Sequence, residues 1–375
     1  MNETRIFISA GEASGDAYGA ALMRALLKLN PALEFEGIGG SEMAKNSFFS
    51  IANSRLWGAI SIYESVKSSP KILGGYFAAI GRIRSGNPGI FIAIDFGFMN
   101  VRLIRVAKIA GWKTVYFMPP SAWKRRDPVS TLPKLKKLDL AANSDLVIVP
   151  FDWNLPYYES LGAQVRYFGH PLLELRQIDA QVSTSRKDFI AVMPGSREHE
   201  LKMNLPLIAS SLPDSVPAIF CISSSNSVEK IKEQWEILAP NRDSDTFLQG
   251  QTTTVLQEAK VGIICSGTAT LEAALLNCPL LVIYKFPKIV ELEGRIIGFK
   301  RPPFISLPNI ILQRMAIPEL VQENATPENC KRELEKLLSG EEPIQLQQKA
   351  FQEIRGKLGS SHAISDSAKA IIELG

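Results

Sequence analysis

Residues Val261-Gly-Ile-Ile-Cys-Ser-Gly-Thr-Ala-Thr-Leu-Glu272 set hydroxyl side chains and a glycine between a short apolar run and a helix-like pattern that opens near Ala269. A strand, a tight loop and a helix start leave backbone N–H groups and the positive end of a helix dipole facing outward, which suits an anion. Gly267 lets a ligand approach the main chain, Ser266, Thr268 and Thr270 add donors, and Glu272 can accept hydrogen bonds from sugar hydroxyls. That chemistry is recognition of the phosphates and ribose of a nucleotide. The same residues also make an ordinary capped strand-to-helix connection, and this stretch alone leaves both readings open.

Three further places carry groups that could react or bind. The apolar run Gly89-Ile-Phe-Ile-Ala-Ile-Asp95 ends in a carboxylate, whose burial at the end of a central strand is costly unless it is paired. Asp95 is the best general-base candidate in the chain. Met193-Pro-Gly-Ser-Arg197 puts a guanidinium at another strand end, where its planar fork can clamp a diphosphate. The loop Gly11-Glu-Ala-Ser-Gly-Asp16 offers Glu12, Ser14 and Asp16 at the carboxyl end of a first strand, although a helix cap needs one of them. Its glycines do not form GxGxxG, so no dinucleotide fingerprint is present. His170 in Gly-His-Pro reads as a structural hinge in preference to a catalyst, because Pro171 fixes the chain beside it.

These groups need strands and helices to hold them. Strands read at 5–10, 34–39, 89–95, 113–118, 146–149 and 164–168, and again at 188–193, 217–222, 246–248, 261–265 and 279–284, with helical stretches between. A polar helix start reads at Ser41-Glu42. The alternation predicts an α/β protein with two doubly wound domains and ligands at the strand ends between them. The expected divisions are a first domain over 1–171, a linker over 172–187, a second domain over 188–345 and C-terminal helices over 346–375. A chain of 375 residues, 46% hydrophobic and 21% charged, has room for two cores.

Residues 56–84 interleave Trp57, Ile60, Ile62, Tyr63 and Val66 with Lys67, Lys71, Arg82 and Arg84. This composition suits a helix lying on anionic headgroups, and equally an amphipathic helix packed on the domain. The net charge of +4 is too small to argue for nucleic acid. Cys221, Cys265, Cys278 and Cys330 lack metal-ligand spacing and read as buried thiols in a reducing compartment. Met1-Asn-Glu-Thr-Arg5 shows no signal-peptide pattern, and no apolar run reaches the ~18 residues that span a bilayer. The expected place is the cytoplasm or a membrane surface.

Ser9-Ala-Gly-Glu-Ala-Ser-Gly-Asp16, Gly37-Ile-Gly-Gly40, Ala93-Ile-Asp95 with Asn100, Pro120-Ser-Ala-Trp123, Gly169-His-Pro171, Pro194-Gly-Ser-Arg197, Ser266 to Leu276, Val282-Ile-Tyr-Lys285 and Ser306-Leu-Pro-Asn309 with Pro318-Glu-Leu320 occur in one order along nearly the whole chain. In this combination they resemble the lipid-A-disaccharide synthase family. The resemblance implies a GT-B glycosyltransferase fold, two Rossmann-like domains facing a cleft, with no catalytic metal and no cofactor. It implies transfer of 2,3-diacylglucosamine from UDP-2,3-diacylglucosamine to 2,3-diacylglucosamine 1-phosphate, with inversion, to form a β(1→6) disaccharide and UDP. It also implies a peripheral protein on lipids of the cytoplasmic membrane's inner face, and a homodimer.

On this resemblance Asp95 is the base, Glu12, Ser14 and Asn100 lie on the acceptor side, and Trp57, Ile60, Ile62, Tyr63 and Val66 meet acyl chains or membrane. Arg197, Ser266, Gly267, Thr268, Ala269, Glu272 and Asn309 surround the UDP-sugar. The chain departs from the family's Asp-Ala-Pro-Asp-Phe-Asn at Phe98, and from its Trp-Ala-Trp-Arg at Trp123-Lys-Arg-Arg126. Both departures border the acceptor side. Competing readings are a UDP-sugar 2-epimerase or another GT-B enzyme with a soluble acceptor, and a paralogue that only binds nucleotide sugar.

Overall fold

Ile90–Ile94 and Leu280–Tyr284 are apolar and buried at every position, which a strand tolerates only when both faces of its sheet are covered. The computed structural model describes residues 5–54, 62–120, 122, 125–126, 140–177, 186–285 and 302–374. It divides into two compact units, Met1–Gln177 with Leu358–Gly375, and Ile178–Lys357.

In the first unit β1 (Arg5–Ala10), β2 (Glu34–Gly39), β3 (Phe48–Asn53), β4 (Ile90–Ile94), β5 (Lys113–Phe117), β6 (Leu146–Val149) and β7 (Val165–Tyr167) form a parallel sheet in the order β3-β2-β1-β4-β5-β6-β7. The helices are α1 (Ala13–Leu29), α2 (Ile62–Arg84), α3 (Gly97–Ile109), α4 (Leu155–Ser160) and α5 (Leu172–Leu175). Alternate residues of β1 serve opposite faces. Ile6 and Ile8 pack with Leu22 and Leu26 of α1, while Phe7 packs with Leu103 and Ile104 of α3 and with Ile83 of α2.

The second unit follows the same logic with β8 (Lys187–Met193), α6 (Glu198–Ala209), β9 (Ala218–Ile222), α7 (Val228–Leu238), β10 (Thr246–Gln249), α8 (Thr252–Glu258), β11 (Ala259–Cys265), α9 (Thr268–Leu275), β12 (Leu280–Tyr284), α10 (Leu307–Leu312) and β13 (Glu319–Val321). Two more helices, α11 (Pro327–Ser339) and α12 (Glu341–Lys357), complete it. Its sheet is parallel, in the order β10-β9-β8-β11-β12-β13. All four cysteines are buried thiols, and burial pushes Cys221 and Cys278 up to about 12 and Cys330 up to about 11.

Several boundaries differ from the sequence expectation. Ser41-Glu42 leads into only a short turn at Met43–Lys45, and the chain then forms β3. β3 and β13 are edge strands of mixed or short sequence, without the uniform apolar pattern of the inner strands. Within the expected linker, Leu172–Leu175 is helical and Lys187 already belongs to β8, whereas 178–185 lie outside the described residues. The C-terminal helices do not act together: α12 belongs to the second unit, and α13 (Ala363–Ile372) covers the first sheet through Ile364, Ala368 and Ile371.

Trp57 and Ile60 lie outside the described residues, as do the side chains of Ile62, Tyr63 and Val66 at the start of α2. Farther along, Ile72, Ala79 and Ile83 pack into the core, while Leu73 and Phe77 are exposed at 47% and 64%. The described part of α2 is therefore a packed helix with an apolar outer edge.

The segment after α12 is anchored by two devices. Gly169 has φ +109, and a Cβ there would lie 2.4 Å from the Ser360 carbonyl oxygen, so only glycine allows that approach. The next residue, His170, donates its main-chain N–H to the Leu358 carbonyl at 2.8 Å. Glu174 accepts from the N–H groups of Ile364 and Ser365 at 2.6 and 3.0 Å, capping α13. The His170 ring is buried, with Nδ1 accepting from the Leu172 N–H at 3.2 Å, and burial lowers its pKa to about 3.

Below pH 6.5 the unfolded chain takes up a proton at His170 that the folded chain refuses, so stability is lost as the pH falls toward 3. Between pH 6.5 and about 5 this group should remove roughly 2 kcal/mol. Denaturant melts across that window should show the loss in the parent protein and lack it in His170→Asn. Equal pH slopes for the two proteins would contradict the assignment.

Candidate functional site

Each sheet has one place where the chain's direction of travel reverses, and there the loops after two neighbouring strands part to leave a crevice at the carboxyl ends. In the first sheet β1 lies between β2 and β4, and the crevice opens between the loops after β1 and β4. Those loops carry Glu12 and Ser14, both half-buried at the start of α1, and Asp95 and Asn100. The structure thus places Asp95, Glu12, Ser14 and Asn100 at one switch point.

Asn100 ties the two loops together. Its Nδ2 donates to the carbonyls of Ser9 and Ile94 at 2.9 Å and of Asp95 at 3.1 Å, and its Oδ1 accepts from the Ser9 hydroxyl at 2.6 Å. The amide is fully buried and both of its N–H donors are spent on main-chain carbonyls, so Asn100 shapes the crevice. Asp16 behaves likewise, accepting from the N–H groups of Gly40, Glu42 and Met43 at 2.8–3.0 Å and holding the Gly37-Ile-Gly-Gly40 loop to α1.

Asp95 and Phe96 both have φ +43, two successive non-glycine residues in the left-handed region. Each costs of order 1 kcal/mol or more and persists only where neighbours impose it. Here the Asp95 N–H donates to the Phe117 carbonyl at 3.2 Å, and its carbonyl accepts from the Tyr116 hydroxyl at 2.8 Å as well as from Asn100. The Phe96 ring lies so close to Gly11 that a Cβ there would meet it at 2.1 Å. Burial first, and then the Asp95 charge, push the Tyr116 hydroxyl well above its ordinary pKa, so it stays a neutral donor. The strained turn leaves the Asp95 carboxylate half-buried at the strand end, a suitable place for a base.

In the second sheet the reversal falls between β8 and β11. The loop after β8 is Pro194-Gly-Ser-Arg197, and the loop after β11 is Ser266-Gly267. Arg197 caps α6, and its Nη1 pairs with Glu200 Oε1 at 2.8 Å. The same carboxylate accepts from the N–H groups of Ser196 and Arg197 at 2.8 and 3.1 Å, and is 3% exposed. One edge of the Arg197 guanidinium is thereby fixed in direction.

Gly267 precedes α9 with φ +152 and ψ −164, a conformation essentially restricted to glycine. The space a Cβ would occupy is open, so the backbone and not crowding demands the glycine. Thr268 and Ala269 open α9, where first-turn N–H groups have no acceptor within the helix. The Thr270 hydroxyl turns back to the Gly267 carbonyl at 2.8 Å. Glu272 is buried at 4% exposure, near enough to Cys221 that its charge adds to the rise of that thiol.

The Ser266 hydroxyl donates to the Ile305 carbonyl at 2.8 Å, joining this loop to Ser306-Leu-Pro-Asn309. Glu319 at the start of β13 accepts from Ile305 and Ser306 N–H, the Ser306 hydroxyl and Asn309 Nδ2, at 2.6–2.9 Å. Asn309 Nδ2 also donates to the Ile317 carbonyl, and its Oδ1 accepts from Ala316 and Ile317. Asn309, expected beside the nucleotide, is buried with its amide engaged in holding this loop.

Sequence reasoning missed Tyr116, Glu200 and Glu319. Glu200 had a legible signal, the capping spacing Arg197-x-x-Glu200. Tyr116 reads as one more core residue of β5, and Glu319 as part of a short motif without a partner.

Among solved structures, TcCGT1 in complex with UDP matches over the whole of both chains at 10% identity and a TM-score of 0.64. A Listeria monocytogenes protein assigned as a UDP-N-acetylglucosamine 2-epimerase reaches 0.64 at 10% identity over all of this chain and 96% of its own, and MurG of Acinetobacter baumannii 0.53 at 13% over 99% of each. The fold is of the GT-B type, and at 10–13% identity the likeness speaks to the fold alone. Lipid-A-disaccharide synthases of Pseudomonas fluorescens and Trichlorobacter lovleyi are 32% and 30% identical, covering 100% and 99% of this chain and 99% and 97% of their own. The family described as lipid-A-disaccharide synthetase matches residues 6–372, spanning both switch points, and the chain belongs to this glycosyltransferase family.

Proposed function

We propose that this chain transfers 2,3-diacylglucosamine from its UDP ester to the 6-hydroxyl of 2,3-diacylglucosamine 1-phosphate, releasing UDP. The observation that carries the reading is the family match over residues 6–372. Asp95 takes the proton of the acceptor hydroxyl as its oxygen attacks the anomeric carbon from the face opposite the leaving group, so the configuration inverts. The bond to the UDP oxygen breaks, and charge develops on the diphosphate. Arg197 and the N–H groups of Gly267 to Ala269 receive that charge with donors already in position.

Glu12 and Ser14 take the sugar on the acceptor side, and Glu272 lies toward the ribose. Asn100 and Asn309 hold the loops that these groups stand on. The geometry behind these roles is the left-handed pair at Asp95 and Phe96, which supports a base presented at the strand end, and the Arg197–Glu200 pair, which supports a guanidinium held in one direction.

The chain is further proposed to work as a homodimer on lipids at the inner face of the cytoplasmic membrane, with residues 56–84 as the contact. Exposed Leu73 and Phe77 on α2 support this, and no described helix is long and apolar enough to cross a bilayer.

Asp95→Asn should abolish formation of the disaccharide, read by mass analysis after incubation with both substrates, while UDP affinity is retained. Normal turnover by that variant would remove Asp95 as the base. Arg197→Ala should weaken UDP binding by roughly 2–3 kcal/mol in a calorimetric titration. Glu200 keeps two main-chain donors in that variant, so a loss reports the guanidinium and not a misfolded loop, and an unchanged UDP affinity would speak against the clamp. Sedimentation with anionic vesicles should pellet the protein at low salt and release it at high salt. If nothing pellets at low salt, α2 is a packed helix only.

A further inference from the structure

Beyond the groups that this reaction requires, the carboxyl edge of the first sheet holds a guanidinium whose described partners are all neutral. Arg125 follows β5 and is half-buried. Buried Asn154 pins its backbone, with Nδ2 donating to the Arg125 carbonyl at 2.8 Å and to the Ala122 carbonyl at 2.7 Å. Arg125 Nη1 donates to the Tyr157 hydroxyl at 3.0 Å, and the guanidinium lies 5.0 Å from the Tyr157 ring centre and 5.6 Å from that of Tyr158. Next to it Arg126 lies 4.0 Å over the Trp153 ring, itself stacked on Phe151 at 4.3 Å.

An aromatic platform orients a guanidinium and strips part of its water without neutralising it. A cation so held offers its remaining N–H edge to an anion with much of the ordering cost already met. Its neighbourhood is that of the candidate base. The charges of Asp95 and Arg125 act in opposite directions on the Tyr116 hydroxyl, which bonds to the Asp95 carbonyl.

We propose that Arg125 recognises a phosphomonoester, the anomeric phosphate of the acceptor sugar. The inference rests on the acceptor assignment made above and extends it to a named residue. A guanidinium that only staples its loop to α4 would be indifferent to phosphate on the ligand. A guanidinium serving lipid headgroups would act on membrane binding and not on sugar choice.

The test titrates glucosamine 1-phosphate and glucosamine calorimetrically into the parent protein, Arg125→Gln and Arg125→Lys. The parent should bind the phosphorylated sugar roughly tenfold or more tightly than glucosamine, the scale of one charge-assisted hydrogen bond. Arg125→Gln should erase that difference, and Arg125→Lys should keep part of it. In turnover, Arg125→Gln should raise KM for diacylglucosamine 1-phosphate about tenfold, leave kcat and the KM for the UDP-sugar unchanged, and match the parent on an acceptor lacking the phosphate. Pelleting with phosphatidylglycerol vesicles should not change.

Equal binding of glucosamine 1-phosphate by parent and glutamine variant overturns the proposal. So does an equal loss on both acceptors, which marks a loop staple, or a loss of vesicle binding in step, which marks a headgroup contact. Should Arg125→Gln melt early, the lysine variant decides by the same comparison. A parent protein that makes no disaccharide sinks the reaction assigned above, and the calorimetric comparison then decides the phosphate site alone.

Discussion

The side-chain amide of Asn100 is the interaction on which the first unit's chemistry depends. It joins the ends of β1 and β4 through four hydrogen bonds, and one of these reaches the carbonyl of Asp95. With the Tyr116 hydroxyl and the bond from the Asp95 N–H to the Phe117 carbonyl, it holds two successive residues at φ +43 against the ordinary preference for negative φ. The strain is local, but its support comes from β1, β5 and α3. A carboxylate aimed in this way is a product of the whole sheet and not of its own loop.

The second unit solves the matching problem by a different device. Its loops are not aimed by strained residues with side chains but by glycines at φ +123 and +152, at positions 195 and 267. Two carboxylates, Glu200 buried and Glu319 half-buried, then take up the N–H groups that the turns would leave bare. Glu200 does this for Ser196 and Arg197, and Glu319 for Ile305 and Ser306. Burying a carboxylate is costly unless several donors surround it, and each of these two has at least three described donors. The result is a pair of loops set before a ligand arrives, which is what electrostatic stabilisation of a leaving group needs.

Much of this was legible in the sequence, for a physical reason. Central strands of a parallel sheet are covered on both faces, so β4, β11 and β12 read as unbroken apolar runs, and the polar residues just after them mark the strand ends. The edge strands β3 and β13 carry no such mark. Nor does sequence separate residues that touch a ligand from those that hold the loop, since both kinds sit in the same short motif. Asp16, Asn100 and Asn309 all hold loops, and only their bond partners elsewhere in the chain reveal it. The C-terminal helices pose the same problem. α12 and α13 are both amphipathic, yet one joins each unit, and the choice depends on the Glu174 cap and the Gly169 approach, far from either helix in sequence.

This division bears on where the chain can vary. A loop residue whose every polar atom is spent on backbone cannot change without releasing a second loop, because several buried groups lose their partners together. Position 125 differs in kind. Its backbone is held by Asn154 whatever side chain it carries, and its platform of Tyr157 and Tyr158 stands on α4. An aromatic residue or a guanidinium can rest on that platform, so charge can enter this edge of the crevice without disturbing Asn100 or Asp95. This edge of the crevice is thus a place where the side chain can vary while the described loops stay tied.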